Sequence, residues 1–299
     1  MSGKVWPVAI AAMALAVPAW ADDTTPVMKL ADAQADQSVY ALPTATSEEQ
    51  GINAGGVNLD MKVVYLTDYI YRGVNRGEAL NAGRNVGNAN FQFDGTLAWN
   101  LGKLPHPFVG ILTNVLDSDP VSNFQEVRPF FGAEWRIRPL VIAAGNTLYT
   151  FPDRGELDTS EVWTKITLDD STLFHSDTPV LSPYIYGAYD YDLYNGWYLE
   201  AGVSHDFPIE KTGLTVTAVA DVAYVASQGY FAGPQGDDTG FQHYEVGLIG
   251  RYSLNELLNI PMRYGQWSVN GYLYYTDGLS DELLSDTTVW GGVGIQFTY

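Results

Sequence analysis

The sequence predicts an all-β fold: an antiparallel transmembrane β-barrel of about 12 strands, roughly 10–14. Three observations carry this. The chain ends on a long strand with a side-chain period of two, and the same division of an apolar from a polar face recurs in at least three other long stretches. The composition also joins 20 Tyr, 8 Trp, 12 Phe and 30 Gly to only 17% charged residues. Girdles of aromatic residues at both membrane interfaces produce such a mix.

In Asp286–Tyr299 one face carries Thr287, Val289, Gly291, Val293, Ile295, Phe297 and Tyr299, and the other Asp286, Thr288, Trp290, Gly292, Gly294, Gln296 and Thr298. A strand with these two faces separates an apolar phase from a wet one. It is also longer than the five or six residues usual in a soluble sheet. Its ending, Phe-Thr-Tyr, resembles the C-terminal signal strand read by the outer-membrane assembly machinery of Gram-negative bacteria. That machinery and outer-membrane lipid are therefore expected partners, with the bacterial outer membrane as the location.

Met1–Ala21 has the layout of a secretory signal peptide: Lys4, an apolar run Val5–Val17, Pro18, and a small-x-small cleavage site at Ala19-Trp20-Ala21. Asp22–Gly56 is polar and aperiodic and is expected to form a disordered periplasmic leader before a barrel over 57–299. No later run of 18 apolar residues suggests a membrane helix. The absence of cysteine excludes a disulfide framework and a lipoprotein anchor. A net charge of -20 argues against nucleic acid as a partner.

The first stave is expected over Val57–Arg72, with Leu59, Met61, Val63, Tyr65, Tyr69 and Tyr71 facing lipid and Asn58, Asp60, Lys62, Asp68 and Arg72 facing water. Asn88–Asn100 divides more cleanly, Phe91, Phe93, Leu97 and Trp99 against Asn90, Gln92, Asp94 and Thr96. Gln125–Arg138 repeats the division. Further strands are expected at Pro107–Leu116, Leu140–Tyr149, Ser160–Asp169, Leu181–Tyr191, Trp197–Asp206, Leu214–Ala226, Phe241–Leu254 and Gln266–Thr276. With both chain ends in the periplasm, the outer loops become 73–87, 117–124, 150–159, 192–196, 227–240 and 277–285, several of them acidic.

The stretch Tyr65-Leu-Thr-Asp-Tyr-Ile-Tyr-Arg-Gly73 resembles the first strand of a family of small bacterial outer-membrane porins, the TorF-like family, in its aromatic-Arg-Gly step. Leu181–Asp192 with Gly196–Phe207 is similar to that family's middle hairpin. The resemblance covers the barrel region and implies a porin-like barrel.

Catalysis finds little support. His106, His175, His205 and His243 are scattered, and parity turns His205 away from Ser204 and Asp206. The Asp117-Ser-Asp119 and Asp237-Asp238 loops lack the spacing of a dedicated calcium loop. No catalytic residue, metal or cofactor is expected.

The candidate site is the lumen. Parity turns Asp60, Lys62, Asp68, Asp94, Arg128 and Glu134 inward, together with Arg136, Lys165, Glu200, Asp221, Glu245 and Arg251. These are the candidate pore-lining residues; many should pair across strands and brace the wall, and rings of charge can set ion preference. Seven are acidic and five basic, which predicts weak cation selectivity. Trp163, Trp290, Phe130 and Tyr198 also point inward and should narrow the lumen toward small solutes or no flow. The expected role is passive diffusion of small hydrophilic solutes. The alternatives are a closed barrel that binds through its acidic outer loops and, less well supported, an outer-membrane lipid-modifying enzyme.

Overall fold

The computed structural model describes residues 56–76, 89–116, 125–152 and 154–299. The expected signal peptide and nearly all of the expected leader lie outside the described residues, as do most of the 73–87 loop and the whole 117–124 loop.

The strands are β1 (Val57–Leu66), β2 (Ile70–Tyr71), β3 (Val74–Asn75), β4 (Asn90–Trp99), β5 (His106–Leu116), β6 (Gln125–Ile137) and β7 (Leu140–Tyr149). They continue as β8 (Thr159–Leu168), β9 (Tyr184–Asp190), β10 (Trp197–Ile209), β11 (Leu214–Ala226), β12 (Gly240–Ser253), β13 (Gln266–Gly278) and β14 (Thr288–Thr298). All but β2 and β3 form one closed antiparallel barrel of 12 strands, each paired with its sequence neighbour, and β1 closes the ring by pairing with both β4 and β14. The fold class predicted from periodicity is the one observed.

The closing seam runs from Asp60 opposite Thr298 to Leu66 opposite Gly292, and Leu59 and Tyr299 exchange two backbone hydrogen bonds of 2.7 Å. Close approach explains one glycine here: a Cβ on Gly292 would collide with the Tyr65 carbonyl oxygen.

The barrel inverts the usual order of a soluble domain. Outward positions carry large exposed apolar side chains, among them Val63, Phe91, Phe131, Ile185, Leu248, Leu273, Val293 and Ile295. Inward positions carry charged and polar groups that are almost wholly buried. A closed barrel leaves no unpaired edge, and an apolar outer belt is the surface that lipid requires. Aromatic pairs sit at both ends of the belt. Tyr189–Trp197 and Tyr224–Phe241 lie toward one end, Trp267–Phe297 toward the end where the chain finishes.

One strand differs from expectation. β1 stops at Leu66, and Val57–Arg72 is not a single stave. Thr67 still donates its N–H to the Gly291 carbonyl, after which the chain leaves the wall and folds into the barrel as the β2–β3 hairpin. Tyr69 and Tyr71 therefore face the lumen and not lipid; they are 0% and 5% exposed. The alternation hides this departure because aromatic side chains suit either environment. The even face, polar from Asn58 through Lys62, then mixes Val64, Leu66 and Ile70, all three buried, with Asp68 and Arg72.

Candidate functional site

The β2–β3 hairpin organises the lumen. Ile70 pairs with Asn75 and Tyr71 with Val74, leaving Arg72 and Gly73 as the two turn residues, with φ of 50° and 75°. Positive φ at both central positions is the tight turn that suits a twisted hairpin. Gly73 is required twice over, since a Cβ there would also run into the His243 ring. Arg72 holds the left-handed conformation at a cost of about 1–2 kcal/mol.

The wall receives this turn at an irregularity. The β11–β12 register shifts between Val222 and Tyr224, so Gln242 and His243 are both buried although adjacent. Gln242 Nε2 donates to the carbonyls of Arg72 (2.8 Å) and Leu284 (2.9 Å), and its Oε1 lies 2.6 Å from His243 Nδ1. On the other strand, the Asn75 N–H donates to Asp286 Oδ2 at 2.6 Å.

Charge fixes the tip. Arg72 donates through both terminal nitrogens to the two Glu161 oxygens at 2.7 and 2.8 Å, and Glu161 also accepts from the Tyr149 hydroxyl. Glu126 is shared by Arg76 (2.5 Å) and Arg128 (2.6 Å) and accepts from the Tyr69 hydroxyl, to which Arg128 donates as well. Aromatic faces fill the space between: the Arg76 guanidinium lies 3.7 Å from the Tyr71 ring centre and that of Arg72 lies 4.2 Å from Tyr198. The cluster gathers three guanidiniums, ionised at any physiological pH, and two carboxyl groups, each side chain 7% exposed or less.

Eleven of the twelve expected residues lie on barrel strands with inward parity, Asp60 and Lys62 on β1 and Asp94 on β4 among them. Lys62 and Asp94 are register partners. Arg128 joins the tip cluster; Glu134 pairs with Arg136 at 2.6 Å near the end where the chain finishes, where Arg136 is one-third exposed. Lys165 lies over the Tyr184 ring at 4.1 Å, and Glu200 accepts from the Tyr184 and Tyr198 hydroxyls. Asp60 accepts from Gln296 and Thr298, and Glu245 from Thr276. Asp221 stands opposite Glu245, and Arg251 opposite Thr215. Asp68 departs from expectation. It lies between β1 and β2, outside the wall, 3.4 Å from the Asn75 amide nitrogen.

The tip cluster itself was mostly absent from the expected set. Glu161 shares the inward face with Lys165 and was legible by the same parity, as was Glu126 beside Arg128. Arg76 follows a turn and carries no periodic signal.

The inward Phe130, Trp163, Tyr198 and Trp290 are all buried, at 2%, 3%, 0% and 2% exposure. Phe108 stacks on Trp163 and Tyr274 on Trp290. The hairpin packs Ile70 against Val64, Leu66, Ile249 and Tyr272 on one side and Tyr69 and Val74 against the larger aromatic cluster on the other. Around the hairpin the described lumen is a packed core, while inward groups nearer the chain end, such as Asp60, Arg136, Arg251 and Gln296, are partly exposed.

Above the hairpin, loops and strand ends border a half-open cavity of about 200 Å³. The hairpin contributes Tyr71, Arg72 and Arg76; Tyr149, Glu161 and Asp190 come from the wall; and Phe151, Arg154, Leu157, Thr159, Tyr194, Gln228, Tyr230, Phe231 and Leu284 complete it.

No family model matches the chain, and no curated protein matches it. Among solved structures it is similar to the KdgM porin (TM-score 0.44, 8% identity, covering 81% of this chain and 99% of the other). The NanC porin is similar to the same degree (0.45, 10%, 80% and 98%). So is outer membrane phospholipase A from Escherichia coli (0.40, 11%, 81% and 95%).

Proposed function

We propose that the chain is an outer-membrane channel for small hydrophilic solutes with a weak cation preference, and that the described arrangement is its closed state, with the β2–β3 hairpin as the element that closes it. The observation that carries this is the charged tip: Arg72–Glu161 and Arg76–Glu126–Arg128, with the arginines of the first two on the hairpin and their acids on the wall. Ionisable groups buried in a barrel lumen need partners, and rings of charge at a constriction set ion preference. A packed core of the same volume is commonly as stable or more stable when such pairs are replaced by apolar residues, so packing alone does not explain them. The apolar belt supports the membrane location. The aromatic-Arg-Gly step, which turns out to be the hairpin turn, supports the kinship with small porins.

Planar-bilayer recording of the purified protein in asymmetric KCl tests the reading. Discrete openings with a reversal potential on the cation side are expected; a reversal potential on the anion side would reject the selectivity. A second reading, a closed barrel that binds through its outer loops, draws on the near-complete burial of the inward side chains. A silent membrane under all voltages, for the wild type and for variants that loosen the hairpin, would favour it.

A further inference from the structure

The cavity above the hairpin has a chemistry of its own. At about 200 Å³ it is smaller than the roughly 300–1,000 Å³ of a drug-sized pocket, which limits an occupant to one ring and a short substituent. Its walls are ring faces set edge to face: Tyr71–Tyr230 at 5.9 Å, Tyr71–Tyr149 at 6.0 Å and Tyr194–Tyr230 at 5.5 Å. A further ring extends this packing.

The two carboxylates on the lining are already engaged. Glu161 holds Arg72 and Tyr149; Asp190 takes the Thr159 hydroxyl and the backbone N–H groups of Asp192 and Tyr194. Neither is available to a cation. Thr159 in turn accepts from the Leu193 N–H. Arg154 is exposed at the cavity and has no acidic partner among the described residues. In a chain of net charge -20 this basic, aromatic recess is an exception.

We infer that the cavity binds a single-ring aromatic carboxylate, its ring among Tyr71, Tyr194 and Tyr230 and its carboxylate on Arg154. The site needs only the described arrangement, in which the hairpin supplies Tyr71 to the ring wall, and does not rest on the channel reading.

The test is titration of the full-length, detergent-solubilised protein with benzoate, benzyl alcohol and glucuronate by calorimetry and saturation-transfer NMR. Benzoate should bind saturably and about tenfold or more tightly than benzyl alcohol, the difference one charge-assisted contact makes. Arg154→Ala should bring benzoate down to the level of benzyl alcohol and leave benzyl alcohol unchanged, and Arg154→Lys should restore part of the loss. Tyr194→Ala should weaken both ring ligands. Glucuronate binding equal to or tighter than benzoate would overturn the assignment in favour of a sugar acid. Benzoate binding indifferent to Arg154, or no saturable binding, would also overturn it.

Discussion

Neutralising Glu161 tests the hairpin as a closing element. Both Glu161 oxygens are engaged, by Arg72 at 2.7 and 2.8 Å and by Tyr149 at 2.8 Å, and each partner of the ion pair has a side chain 4% exposed. Glu161→Gln keeps the volume and removes the charge, which leaves the Arg72 guanidinium buried without its counter-ion. Breaking a buried pair in this way costs about 3–5 kcal/mol. That cost falls on the inward position of the hairpin and not on the barrel ladder, so the open fraction should rise by about two to nearly four orders of magnitude. Single-channel recording reads this as more frequent openings, with heat-modifiable gel mobility as the check that the barrel is intact. Arg72→Gln combined with Glu161→Gln removes both charges and should open less often than Glu161→Gln alone. High salt should not imitate the substitution, because a pair this buried is weakly screened. A folded Glu161→Gln protein that conducts no more than wild type, or a double variant that opens more than the single one, would refute the reasoning.

Two further predictions concern the wall. Val293, 59% exposed at the middle of β14, should face the centre of the bilayer, so Val293→Arg is expected to destabilise the folded barrel by about 2–4 kcal/mol in urea titrations from lipid vesicles. A loss below about 1 kcal/mol would take that face off the lipid. Deleting Phe297–Tyr299 removes both 2.7 Å backbone bonds to Leu59 and the 4.5 Å Trp267–Phe297 contact, and should abolish membrane assembly; a heat-modifiable, protease-resistant barrel from the truncated chain would count against the seam as the assembly determinant.

The wall was legible because lipid and lumen impose opposite demands on alternate residues. Leu140–Tyr149 and Leu214–Ala226 are observed within the limits that alternation predicts, and β14 faces as its parity requires. Limits slipped where the chain obeys local backbone constraints. Leu181–Tyr191 begins only at Tyr184, after Ser182 takes a φ of 41° and Pro183 follows. β10 runs to Ile209, through Pro208, beyond the expected Asp206. The lumen was legible as a face but not as a set of contacts. Parity turns Arg128 inward, yet its partner Tyr69 comes from a segment that left the wall. No period in the sequence distinguishes an aromatic residue against lipid from one folded back inside.

The hairpin is poorly explained as filler for a wide barrel. A filler has no need of a non-glycine residue at positive φ, and Arg72 holds one at a cost of about 1–2 kcal/mol. Nor does it need two guanidiniums, each desolvated against a wall carboxylate, where apolar residues of similar volume would serve as well or better. Two features of the wall and one of the connection before β14 meet this hairpin: the Gln242–His243 irregularity, the Glu161 fork and the Asp286 acceptor. Each binds the hairpin through polar groups that water can replace once the hairpin moves, whereas the strand ladders around it cannot be replaced within lipid. The ladders therefore fix the barrel permanently, while the hairpin is held by contacts that can be exchanged. That asymmetry is what a closing element within a fixed wall requires.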